Sequence, residues 1–160
     1  MADVLADGMT RVAWVGAIAN INQPTVSELN AGLLLQQVIT PDGLMGFEAS
    51  TAEVDNSALA STFDTKTIGR DSYSGTGLRM KKQTAPDTAR NTLSRGTEGY
   101  IVIRRDIAEE TAWAASQPVE VYPVICGRRK ELAPEANSVR KYEVPTPITT
   151  PPAPAAVVAA

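Results

Sequence analysis

The sequence predicts a mainly β fold, a sandwich or barrel with a short flanking helix, a long loop and extended terminal arms. Three observations lead there. Short β-type runs recur between turn residues. The helical signals are confined to two capped stretches of barely two turns. Both ends of the chain lack the periodicity of either regular element.

In chain order, Arg11 to Ile18 is the first strand candidate. Thr25-Val26-Ser27-Glu28 then has the spacing of a capping box, in which hydroxyl and carboxylate satisfy each other's free backbone donors, and Gly32 ends the helix. Leu33 to Thr40 is a second strand candidate. From Pro41 to Arg70 the chain is rich in Ser, Thr, Asp, Asn and Gly and reads as one long loop or a loose hairpin. Tyr73 to Lys82 is a strand softened by Gly75 and Gly77. Thr84-Ala85-Pro86-Asp87 opens the second helix with proline and an acid in its first turn, Ala89 and Leu93 face the sheet, and Gly96 closes it.

The clearest strands follow. They are Tyr100 to Arg105 and Val119 to Cys126; in the latter Val119, Val121 and Pro123 face one way and Glu120, Tyr122 and Val124 the other. Pro123 implies an edge or a bulge. Val139 to Val144 is the last strand candidate. From Val144 to Ala160 there is no charge, and five of the eleven prolines fall here. The expected organisation is therefore a β domain over 1–145 and a Pro/Ala-rich arm over 146–160, extended and outside the core.

Composition narrows the function. The 160 residues suit one domain, and of 69 apolar residues 23 are alanine, so the core is thin and other subunits should cover part of the apolar surface. A net charge of −3 disfavours a protein built to grip phosphates or anionic membranes. There is no histidine, which removes the commonest general base and zinc ligand. Cys126 is alone and reads as a buried small hydrophobe in a reducing compartment. The acidic N-terminus and the absence of a long apolar run give the expectation of synthesis in the cytoplasm, with no signal peptide and no membrane.

No catalytic kit can be assembled. Gly-x-Ser-x-Gly is absent, and Ser74-Gly75-Thr76-Gly77 lacks the lysine of a phosphate loop. Asp55, Asp64 and Asp71 are too widely spaced for a calcium loop and read as solvated acids. Arg128-Arg129-Lys130, Lys81-Lys82 and Arg104-Arg105 read as solvated or intersubunit salt-bridging positions, and Trp113 as a core or interface plug. No catalytic, cofactor-binding or metal-binding residue is assigned, and no cofactor is expected.

One feature remains. The segment Gly43 to Arg70 is too long for a structureless connection, and Leu44, Met45, Phe47, Leu59, Phe63 and Ile68 are spread through polar sequence in it. Such residues suit anchoring into neighbouring subunits, with Ser57, Thr62, Asp64 and Thr67 as a polar rim.

The blocks Thr10 to Val15, Pro24 to Gly32, Ile39 to Leu44, Val54 to Leu59, Ser61 to Thr65, Gly99 to Arg105, and Trp113 through Val124 resemble, in serial order and spacing, the major tail proteins of long-tailed actinobacterial phages. The similarity runs from about residue 10 to about 145. It implies a virion protein, the tail tube subunit, a β-sandwich that closes with five other copies into a hexameric ring. Stacked rings form the tube of a non-contractile tail, through which genomic DNA passes without specific binding. Implied partners are further copies of itself, the tape measure protein, the tail terminator and tail-tip proteins. An acidic subunit suits a lumen that must not hold phosphates, on the premise that charge is spread evenly. Two rivals remain at this point: a capsid decoration or head-to-tail connector protein, and a carbohydrate-binding module using Trp14 or Trp113.

Overall fold

Alternation along three long strands, β1 (Thr10–Val15), β7 (Glu98–Arg105) and β8 (Pro118–Ile125), organises the molecule. Val12, Trp14, Ile101, Ile103, Tyr122 and Val124 point to one face of their sheet, and Ala13, Val15, Val102, Val119 and Val121 to the other. Both faces are buried, so each strand reads as nearly continuous apolar sequence. The computed structural model describes residues 1–160.

The remaining elements are α1 (Val26–Asn30), β2 (Leu33–Leu34), β3 (Ile39–Met45), β4 (Ser50–Asp55), β5 (Lys66–Ser72), β6 (Gly77–Lys81), α2 (Thr88–Thr92), β9 (Lys130–Glu131), β10 (Lys141–Pro145) and β11 (Ala153–Val157). A five-stranded sheet has the order β11-β8-β7-β1-β2, a four-stranded sheet the order β3-β6-β10-β9, and β4 and β5 form a separate two-stranded sheet. All pairings between named strands are antiparallel. The first two sheets pack as a sandwich around Trp14, Leu35, Phe47, Leu78, Met80, Ile101, Tyr122 and Tyr142. A second core lies on the other face of the five-stranded sheet, where Leu29 of α1, Trp113 and the C-terminal residues cover Ala13, Val102 and Val121.

Local rules account for the helix ends. Thr25 Oγ1 accepts from Glu28 N at 3.2 Å and Glu28 Oε2 accepts from Thr25 N at 2.9 Å, the expected box. The amides of Thr25 and Ala19, which both donate to it, hold the Glu28 carboxyl below its usual range. The second helix starts later than expected: Asp87, not Thr84, is the cap, accepting from Arg90 N at 3.2 Å, and Pro86 lies outside the helix. Ala89 and Leu93 are buried as expected.

Pro123 sits at neither a free edge nor a bulge. Ile125 N donates to Pro147 O and Thr149 N to Pro123 O, so these groups of β8 face the C-terminal segment, not β7. The missing N–H therefore falls beyond the end of β11, leaving the β7 ladder intact.

The boundary expected at residue 145 is not a structural one. The segment 146–160 is extended, but β11 pairs with β8, and Ala153, Ala156 and Val158 are buried in the second core. Val157, Val158 and Ala159 also donate backbone bonds to Asn22, Gln117 and Pro24. Proline and alanine supply little β-propensity, yet this segment finds backbone partners already in place, β8 along one edge and Asn22 and Pro24 besides, while Ala153 and Ala156 are buried and Pro154, Ala155 and Val157 stay exposed.

Arg104 is a second correction. It is fully buried, not solvated. Arg11 and Arg104 are cross-strand partners whose guanidinium carbons lie 5.0 and 5.1 Å from the centroid of the buried Trp113 ring. No carboxylate lies within 4 Å of either. Loop carbonyls take that place: Arg11 donates to Glu109 O and Thr111 O, and Arg104 to Ala108 O, Ala112 O and Gln117 Oε1. Burial, then the neighbouring Arg11, lowers the Arg104 pKa.

Gly99 lies under Trp14, where an added Cβ would stand 2.5 Å from Trp14 Cζ2. Gly99→Ala is expected to cost about 1–3 kcal/mol through overpacking, read as a lower Tm. An unchanged Tm would show that the indole can move.

Candidate assembly surface

The segment that read as one long loop or a loose hairpin is an antiparallel hairpin. Its ladder pairs Ser50 with Ser72, Thr51 with Asp71, Glu53 with Ile68, Val54 with Thr67 and Asp55 with Lys66, with an irregularity between Thr51 and Glu53. Lys66 Nζ meets Glu53 Oε2 at 2.7 Å across the ladder, and Thr51 Oγ1 donates to Asp71 Oδ1 at 2.7 Å. The turn is closed by Asn56 N to Thr65 O at 3.1 Å and Thr65 N to Ser57 Oγ at 2.9 Å. Asp55 Oδ1 accepts from Ser57 N at 2.8 Å, and bonds from Ser57 hold its carboxyl below the usual range, keeping it ionised. Thus Asp55 is a turn-closing acid as well as a solvated one.

From residue 48 to 72 every residue is exposed except Ser57 and Gly69, which are partly covered. A two-stranded ribbon with no buried face is marginal alone. Its apolar residues make the point sharper: Leu59 is fully exposed, Phe63 is 77% exposed and Ile68 80%. Val54, which sequence reasoning did not select, is exposed beside them.

The six anchor candidates therefore divide into two sets. Leu59, Phe63 and Ile68 lie on the hairpin. Phe47 does not belong with them: it is buried in the sandwich core with its ring 5.0 Å from that of Tyr122, because the hairpin begins only after it. Leu44 and Met45 end β3 and are partly buried, Leu44 against the same core. These three root the hairpin in its own subunit. Of the rim candidates in the same hairpin, Thr62, Asp64 and Thr67 are exposed and Ser57 is partly covered.

A second surface was not legible in composition. Residues 81–95 and 126–141 carry nine basic and three acidic residues, a net +6, which leaves the rest of the chain at −9. Charge is not evenly spread. Backbone bonds bring the two stretches together beside the β9 side of the four-stranded sheet: Lys82 N donates to Arg140 O next to the β6–β10 pairing, and Gly96 N, just past the first stretch, donates to Cys126 O. Arg129 donates to Arg90 O, and both arginines pair with Glu131 within the subunit. Between α2 and this edge lies a cleft of about 230 Å³ lined by Leu93, Ser94, Arg95, Arg128, Arg129 and Glu131.

Other candidates resolve as packing. Cys126 is buried, and burial pushes its thiol up to about 11. Thr76 is buried and donates to Thr146 O, so the Ser74–Gly77 turn ties the sheet to the C-terminal segment. No helix is long and apolar enough to cross a membrane.

The family model described as phage tail tube protein matches residues 1–160. Among solved structures, the chain is similar to one from the anti-feeding prophage baseplate, determined by cryo-electron microscopy with sixfold symmetrisation. The TM-score is 0.58 at 10% identity, covering 94% of this chain and 95% of that one, which is a likeness of fold. No curated protein matches.

Proposed function

Because the chain belongs to the phage tail tube protein family, a family of structural tail proteins, we propose that it is the major tail tube subunit. Six copies close into a ring, and rings stack into the DNA-conducting tube of a non-contractile tail of an actinobacterial phage. The tape measure, tail terminator and tail-tip proteins contact that tube, and DNA crosses the lumen without specific binding. The observation that carries this reading is the hairpin 48–72, whose Leu59, Phe63 and Ile68 have nothing in their own subunit to cover them. The sixfold symmetry applied to the prophage baseplate supports the ring number.

A tube needs contacts that repeat without closing along its axis, and an apolar projection on one copy and a receiving surface on the next supply them. Burying a leucine, phenylalanine or isoleucine contributes about 1.5–3 kcal/mol each. The variant L59S/F63S/I68S is therefore expected to raise the concentration needed for assembly at least ~100-fold. Electron microscopy of the purified protein should show rings and tubes of constant diameter for the wild type and dispersed subunits for the variant, with its Tm unchanged. Dispersed wild-type monomers at every concentration would overturn the reading.

A further inference from the structure

Outside the two basic stretches, the structure accounts for almost every positive charge. Arg79 pairs with Asp42 and Glu143, Lys66 with Glu53 and Arg105 with Glu120, while Arg11 and Arg104 are spent on Trp113. Only Arg70 is left. Within the stretches the reverse holds: Lys81, Lys82, Arg95, Arg128, Lys130, Arg140 and Lys141 have no carboxylate within 4 Å. Lys82, Arg95, Arg128, Lys130 and Arg140 are exposed, and so is the apolar Val139 among them.

The hairpin has the complementary character. Residues 48–72 hold five acids and two bases, a net −3, interleaved with exposed Val54, Leu59, Phe63 and Ile68. Glu48 and Asp64 make no ion pair or side-chain hydrogen bond in their own subunit. We infer that the basic β9 edge with α2 is the receptor for the acidic hairpin of a second copy of this chain. The inference rests on the tail tube reading and gives it a direction, since donor and acceptor are different surfaces and their pairing is head to tail. It also places the unpaired arginines and lysines against protein, leaving the acidic remainder of the subunit for a lumen that repels phosphates.

The experiment is a charge swap on the full chain, scored by electron microscopy and light scattering, with circular dichroism to confirm folding. R95E/R128E/K130E alters exposed side chains with no partner, and so does E48K/D64K. Each is expected to lose tubes, with the assembly concentration raised at least tenfold. The chain carrying both sets is expected to regain them, because both signs are then exchanged. Raising salt should weaken wild-type assembly. Tubes that form as readily from R95E/R128E/K130E as from the wild type would overturn this inference alone. So would failure of the combined chain to recover while folded. Intact tubes with lost retention of a DNA duplex would reassign the edge to nucleic acid. A wild type that forms neither rings nor tubes would overturn both readings.

Discussion

Deleting residues 151–160 is expected to lower Tm by about 10–20 °C, or to prevent folding at 37 °C. The lost segment removes buried Val158, worth about 1.5–3 kcal/mol, and, from β11, buried Ala153 and Ala156 at about 0.8 kcal/mol for each carbon removed from water. Its departure also uncovers Val119 and Val121 and strands the backbone partners at Asn22, Gln117 and Pro24. The sum is about 5 kcal/mol against a total stability of about 5–15 kcal/mol for a domain of this kind. At about 2–4 °C for each kcal/mol, the shift follows. Composition alone leads to the opposite result, a dispensable arm, so a thermal melt of the truncated protein separates the two directly. An unchanged Tm would mean that β11 is not held in solution.

Trp113→Ala is expected to destabilise the subunit by about 3–5 kcal/mol, with Trp113→Phe recovering part of the loss. The cost has two sources. A buried ring is removed from the second core, and the two guanidiniums that rest over it lose the π-system that helps offset their burial. Arg11 and Arg104 are directly opposed across β1 and β7, a like-charge arrangement that is unfavourable by itself. Urea titration at fixed ionic strength measures the effect. If Trp113→Ala and Trp113→Phe melted together with the wild type, the indole would be a bystander and the loop carbonyls alone would hold the arginines.

Much of the fold was legible because it is written in short-range pattern. Alternation in Tyr100–Arg105 and Val119–Cys126 assigns each side chain to a face, and those faces are the two cores. The Thr25–Glu28 box is a four-residue statement that needs no partner from elsewhere. The candidate site was half legible. Exposure of Leu59, Phe63 and Ile68 follows from apolar residues scattered in polar sequence, whereas Phe47 has the same signature and lies one residue before the exposed stretch, in the core.

By itself, then, the sequence determined the β class, the strand faces, the first helix with its cap, and a chain without histidine or paired cysteines. Tertiary structure alone decided three things. A proline- and alanine-rich terminus became a strand because β8 offered it an edge. Arg104, indistinguishable in sequence from its exposed neighbour Arg105, became buried because strand parity turns it toward Trp113 and a loop whose carbonyls accept its hydrogen bonds. And a net charge of −3 resolved into a +6 edge and a −9 remainder, because backbone pairing joins two basic stretches thirty residues apart along the chain. In each case the deciding partner is distant in sequence, and no local pattern encodes which distant group will stand beside which.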